Sequence, residues 1–162
     1  MKHINFLKGI IIAKIGVESM KYQNPKATVD MVILEQNQSV VLVKRANPPY
    51  LNCWALPGGF VELGEKVEDA VLRESKEETG LEVEILKLVG VYSDPGRDPR
   101  GHTISIVYLC RKKNQGEPLR AGTDAKAAKI YSRTEIEQIQ LAFDHKIILH
   151  DALKLADQEN LW

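Results

Sequence analysis

The stretch Gly59-Phe60-Val61-Glu62-Leu63-Gly64-Glu65-Lys66-Val67-Glu68-Asp69-Ala70-Val71-Leu72-Arg73-Glu74-Ser75-Lys76-Glu77-Glu78-Thr79-Gly80-Leu81 decides how the chain is read. Residues 66–79 have helical composition, and Gly80 follows where a left-handed residue would stop a helix. At about 100° per residue, Val67, Ala70, Val71, Glu74, Glu77, Glu78 and Leu81 fall on one continuous stripe. Its first turns are apolar and should face a sheet, yet the same face then carries three carboxylates. A solvated helix would put its acids on the opposite side, and like charges three and four residues apart repel. Carboxylates gathered on an inward face imply cations between them. Oxygen donors with no Cys or His cluster nearby favour a hard ion such as Mg²⁺ over zinc.

Outward from this helix the chain alternates strands and helices. Residues 27–35 and 40–46 are rich in β-branched side chains and read as a hairpin. Asn47-Pro48-Pro49 ends the second strand, because proline donates no amide. Residues 54–60 read as a tight connector. Beyond the helix, 82–92 and 102–111 are strand-like around the polar loop 93–101; a short strand near 127–132 and helices near 133–139 and 143–157 close the chain. This order predicts an α/β layered sandwich with a mixed β-sheet.

At 162 residues the chain fits one domain. It carries 22 basic and 22 acidic residues. Zero net charge speaks against a general nucleic-acid or anionic-membrane binder, which needs surplus positive charge. Cys53 and Cys110 stand too far apart in sequence for a metal knuckle, and two cysteines make no disulfide framework. The apolar run Ile10 to Ala13 is far shorter than the roughly 20 residues of a membrane span. Lysines on both sides of it fit a signal peptide poorly. A cytoplasmic protein with free thiols is expected. Residues 1–20 read as an N-terminal arm, flexible or an over-long start before Met20, and 21–162 as the domain.

The spacing Gly59, five residues, Glu65, seven residues, then Arg73-Glu74-Ser75-Lys76-Glu77-Glu78-Thr79-Gly80-Leu81 resembles the Nudix box. Ser75 departs from the pattern, which prefers an aliphatic residue, and should weaken packing slightly. The resemblance implies a Nudix-like α/β/α sandwich that binds divalent cations and hydrolyses a nucleoside diphosphate linked to another group. It assigns Glu74, Glu77 and Glu78 to metal, with Mg²⁺ expected and Mn²⁺ as a substitute. Gly58 and Gly59 would let the backbone turn tightly, so that a carbonyl at Gly58 could complete the shell, the alternative for Gly58 being a plain turn glycine; Gly59 is expected at the substrate. Arg73, four residues before Glu77, is expected to orient that carboxylate or Glu65. Glu65 and Gly80 are structural members of the motif.

Outside the box, Trp54 to Phe60, Ser93 to His102 and Ala121 to Ala125 resemble the ADP-ribose pyrophosphatase branch. That branch implies a small nucleotide substrate, with ADP-ribose yielding AMP and ribose 5-phosphate, and a homodimer. Arg97 and Arg100 are the expected ligand contacts, since guanidinium forks match phosphate oxygens; the alternative pairs them with Asp94 and Asp98. Asp124 is a candidate general base or further ligand, or else a turn residue. Lys44 and Arg45 are candidates for phosphate, or exposed strand-end charges. Trp54 and Phe60 could stack on a base, although core packing is favoured for both. His145 and His150 read as ordinary helix residues. Rival functions are a pyrophosphohydrolase of nucleoside triphosphates or oxidised nucleotides and a non-catalytic ADP-ribose-sensing regulator. The short tail after the last strand and the intact box acids stand against the regulator.

Overall fold

A computed structural model describes residues 24–122 and 125–162. The expectations for the arm and for Asp124 lie outside the described residues. In chain order the elements are β1 (Lys26–Glu35), β2 (Ser39–Arg45), β3 (Trp54–Ala55), β4 (Gly58–Phe60), α1 (Val67–Thr79), β5 (Val83–Tyr92), β6 (Thr103–Lys112), β7 (Ala125–Ser132), α2 (Arg133–Ile136) and α3 (His145–Gln158).

Seven strands form one mixed sheet. Its main path runs β3-β2-β1-β6-β5, with β4 added to β1 and β7 to β2. The central pair, β1 and β6, is parallel along its length, from Lys26 opposite Thr103 to Leu34 opposite Arg111. Side chains alternate between faces of a strand, and the two cores follow that alternation. Val29, Met31 and Ile33 pack with Ala70, Val71 and Leu81 around α1. Val32 and Leu34 pack with Ile148, Leu149 and Ala152 of α3. Each fully buried Val, Leu or Ile contributes roughly 1.5–3 kcal/mol, so the β-branched runs are what hold the helices on both faces. The α/β/α arrangement expected from the element order is present. Among the described residues no helix is long and apolar enough to cross a membrane.

The hairpin of β1 and β2 forms as expected but pairs only at its closed end, Leu34 with Val40 and Glu35 with Ser39. Farther along, β1 pairs with β4 from Thr28 to Asp30, whereas β2 pairs with β3 at Val43 and Lys44, and with β7 along its whole length. The two strands therefore diverge, and the fold opens a cleft between them. Residues 54–60, read from sequence as a connector, are two short strands: Trp54–Ala55 pairs with β2 and Gly58–Phe60 with β1. Two- and three-residue strands carry no periodicity that sequence could reveal. Trp54 is a core residue, edge-on to Tyr131 at 4.9 Å.

Helix α1 starts one residue later than expected and stops at Gly80, whose φ of 72° is the left-handed cap; its amide donates to the Lys76 carbonyl. Ser75, the departure from the motif, does more than fill space. Its buried hydroxyl donates to the Leu81 carbonyl at 3.1 Å, while Thr79 Oγ1 donates to the Ser75 carbonyl and accepts from the Leu81 amide. The side chain thus ties down the chain beyond the helix end. At the C-terminal end, α2 is one turn, Arg133–Ile136, and α3 begins at His145 rather than 143. Phe143 has a φ of 52°, a left-handed value that no helix tolerates, so the helix can begin only after it.

Candidate active site

A cleft of about 390 Å³ occupies the space where β1 and β2 part. The carboxylates of Glu74 and Glu78 enter it from α1, the guanidinium of Arg45 from β2, and Arg100 from the loop after β5. Phe60 and Phe143 bound its apolar side.

On the acidic side, Arg73 is the organiser. Its Nε and Nη2 donate to both oxygens of Glu65, at 2.8 and 2.9 Å. Nη1 donates to Glu74 at 2.7 Å and to Glu77 at 3.3 Å, and Nη2 also donates to the Phe60 carbonyl. The Arg73 bonds, with an amide from Glu62, pull the Glu65 carboxyl down to about 2. One guanidinium therefore joins the loop to the helix, in the orienting place expected of it.

The three acids of the stripe do not share one environment. Glu74 is buried and Glu78 half-buried, but the Glu77 side chain is 60% exposed and turns back to Arg73. The helix geometry explains this: Glu77 lies about 60° from Glu74 on one side and Glu78 about 40° on the other. Burial raises the Glu74 carboxyl above its usual range, against the pull of Arg73. Burial raises Glu78 to about 7, and the negative charges of Glu74 and Asp30 add to the rise; the Gly58 amide at 3.0 Å and, more weakly, the charge of Arg45 oppose it.

This is the condition that a divalent cation relieves: buried, mutually repelling oxygens short of positive charge. The donor chemistry suits Mg²⁺ or Mn²⁺. Among the described residues no three Asp, Glu, His or Cys side chains stand together as a ready-made cage; Glu74 and Glu78 line the cleft together and Glu77 stands outside it. Since Glu78 binds its proton more tightly when folded, its contribution to stability falls as pH rises from the ordinary carboxyl range through about 7. In chelator, wild-type protein should lose melting temperature relative to Glu78→Gln between pH 5 and pH 8. A pH-independent difference would show that Glu78 is not held short of charge.

The two glycines are explained by close approach. A Cβ on Gly59 would stand 2.2 Å from the Glu74 carboxylate, and one on Gly58 would stand 2.2 Å from the Val29 carbonyl. Gly59, which lines the cleft, thus makes room for an acid. Gly58 meets Glu78 through its amide, where sequence reasoning looked to its carbonyl. Gly122 is tighter still: its amide donates to the Glu78 carbonyl, and a Cβ would stand 1.6 Å from the Glu77 carbonyl oxygen.

On the basic side, Arg45 and Arg100 both lie over the Phe143 ring, at 4.9 and 5.6 Å, and Arg100 also lies over Phe60 at 5.2 Å. Arg45 donates to the Pro49 carbonyl at 2.8 Å, and Arg100 pairs with Asp98 at 2.8 Å. Burial and then the charge of Arg100 lower the pKa of Arg45. Two cations that disfavour each other across one cleft make a place for an anion. Arg100 lines the cleft, with the Asp98 pairing of the alternative also present. Arg97 lines it too, but its guanidinium is taken up by other partners. Its side chain is 5% exposed and forms a two-pronged pair with Asp144, at 2.9 and 2.7 Å, with Asp30 at 3.6 Å. Both prongs are engaged with an acid some 47 residues away in sequence and with neither Asp94 nor Asp98. Arg97→Ala should therefore cost about 3–5 kcal/mol, as removal of one partner of a buried pair does. Urea melts should show that loss while the ranking of substrates stays unchanged.

Four residues of the site were not singled out from sequence for it: Asp30, Phe143, Asp144 and His145. Asp30 left one signal, an acid inside the otherwise apolar run Val29 to Leu34.

Set beside known proteins, residues 24–152 match the NUDIX domain. This chain belongs to the Nudix family. Among its Nudix relatives is a protein of Methanocaldococcus jannaschii named ADP-ribose pyrophosphatase, 49% identical over 133 residues, which are 82% of this chain and 76% of that one. Another is a protein of Acinetobacter baylyi named as an ADPR-responsive transcriptional repressor, 30% identical over 81% of this chain and 54% of that protein; the chain spans about half the repressor's length. In three dimensions the NUDIX domain of Shewanella oneidensis NrtR, solved with ADP ribose, is similar with a TM-score of 0.74, at 26% identity, over 91% of this chain and 95% of that one.

Proposed function

We propose that this Nudix hydrolase cleaves the pyrophosphate of ADP-ribose, giving AMP and ribose 5-phosphate. The observation that carries the reading is one cleft joining the carboxylates of Glu74 and Glu78 on α1 to two guanidinium groups around Phe143. A diphosphate needs both: positive charge for its oxygens and an acidic wall beside its phosphorus. The 49% identity with a protein named for this activity supports the choice of substrate.

Glu74 and Glu78, with Glu77 outside them, would hold Mg²⁺, or Mn²⁺ in its place. The bound ion supplies neutralisation of the diphosphate charge that repels attacking water. Arg73 keeps Glu74 and Glu77 aimed and joins them to Glu65. Arg45 and Arg100 bind phosphate oxygens and orient the two halves of the substrate. Asp124 is the candidate base that would take the water's proton; Gly122, just before it, lies against the backbone of Glu77 and Glu78. The intact box acids favour hydrolysis over sensing alone. The same reading makes the protein a cytoplasmic homodimer that acts on a small nucleotide, without nucleic acid or membrane, and a dimer would cover the exposed Leu88 and Val91 of β5.

The test is product analysis by ³¹P NMR. ADP-ribose with Mg²⁺ should give AMP and ribose 5-phosphate in equal amounts and nothing in chelator. Adenosine and pyrophosphate, or turnover that survives chelation, would overturn the assignment.

A further inference from the structure

At the floor of the cleft lies a polar network with no part in the proposed reaction. His145 is buried at the first position of α3. Its Nδ1 accepts a hydrogen bond from the Leu56 amide at 2.9 Å. An imidazole that accepts at Nδ1 carries its proton on Nε2, and Nε2 lies 3.7 Å from Asp30 Oδ1. The other Asp30 oxygen accepts from the buried Ser105 hydroxyl. Burial lowers the pKa of His145 and so favours the neutral ring that this bonding needs.

The consequence reaches the cleft through three consecutive residues. The Leu56 amide is bound by His145, the Pro57 carbonyl accepts from the Met31 amide at 2.9 Å, and the Gly58 amide donates to Glu78 at 3.0 Å. Proline has no N–H, so Leu56 and Gly58 hold the only amide donors of the span. The span has no slack, since Gly58 lies so close to β1 that a Cβ would stand 2.8 Å from Asp30 Oδ1. Without an acceptor at His145, the Leu56 donor would be buried unpaired, at a cost that favours moving the span. The bond from Gly58 is the one hydrogen bond that the Glu78 carboxylate accepts among the described residues.

We propose that His145 is a positioning residue for Glu78, fixing through Leu56 and Gly58 the carboxylate that faces the cation. The inference rests on the reading of Glu78 as a cation donor. Asp30 and Ser105 hold the ring in register, and α3 is thereby coupled to the acidic end of α1 although the two lie on opposite faces of the sheet.

The experiment measures Mn²⁺ binding to chelator-treated full-length protein, without substrate, by the EPR signal of free Mn²⁺. His145→Asn places an oxygen acceptor where Nδ1 stood; His145→Gln carries its carboxamide on toward Asp30 and leaves Leu56 without an acceptor. H145Q should bind Mn²⁺ about 10–100-fold more weakly, the range for loss of a residue supporting a ligand, whereas H145N should retain most of the affinity. Both lose the ring beside Phe143, so both should melt earlier, and stability alone would not separate them. Wild-type affinity in H145Q, or equal weakening in folded H145N, would overturn the proposal. Were H145Q unfolded, folded H145N decides by itself: retained affinity supports the proposal and weakened affinity overturns it. If wild-type protein binds no Mn²⁺, the cation reading of Glu78 fails first and takes this inference with it.

Discussion

Glu78→Gln should lower kcat for ADP-ribose by on the order of 10²–10³, the loss seen when one group supporting transition-state charge is removed, while the protein stays folded. Glutamine keeps the shape of the side chain and still offers an oxygen to the Gly58 amide, so the connector has no reason to move. What disappears is a charge that burial and the neighbouring acids disfavour. In chelator at pH 8 the variant should therefore melt above wild type, and saturating Mg²⁺ should stabilise wild type more. A folded Glu78→Gln protein with full activity would remove α1 from the chemistry.

Replacing Arg73 should have the next largest effect, through several groups at once. Alanine there releases Glu65, Glu74, Glu77 and the Phe60 carbonyl together. The acids would keep their places in the chain but lose their aim, and kcat/KM should fall by about 10–100-fold, as it does when an orienting partner of a ligand is lost. Arg73→Lys should recover only part of this, because an ammonium cannot grip both Glu65 oxygens and reach Glu74 as well. Steady-state kinetics at saturating Mg²⁺ with circular dichroism would show it; a lysine variant equal to wild type would make Arg73 a mere charge.

The parts of the fold that sequence revealed are those with long periodicity. β1, β2, β5 and β6 are β-branched runs of seven to ten residues, and α1 carries an apolar stripe ended by a glycine. β3 and β4 are too short to show a period and exist because neighbouring strands offer them partners. The site divides in the same way. Arg73, Glu74 and Glu78 sit on one helix at fixed spacing, so their meeting in one cleft could be read from it. Glu77 shares that spacing but falls on the shoulder of the helix, a distinction of some tens of degrees that a stripe does not resolve. Arg97 and Asp144 are far apart in the chain, and nothing local announces their pairing. Within the loop from Ser93 to His102, Arg97 and Arg100 look equivalent, yet one is buried and locked to Asp144 while the other stays half-exposed in the cleft.

The substrate is the central claim, and kcat/KM across a panel tests it most directly: ADP-ribose beside NADH, diadenosine polyphosphates and deoxynucleoside triphosphates, each with Mg²⁺. The expected result is a preference for ADP-ribose that falls in Arg100→Ala by about ten- to a hundred-fold, as loss of one charge-assisted contact of roughly 1.5–3 kcal/mol requires. A higher kcat/KM for any of the triphosphates than for ADP-ribose would contradict it.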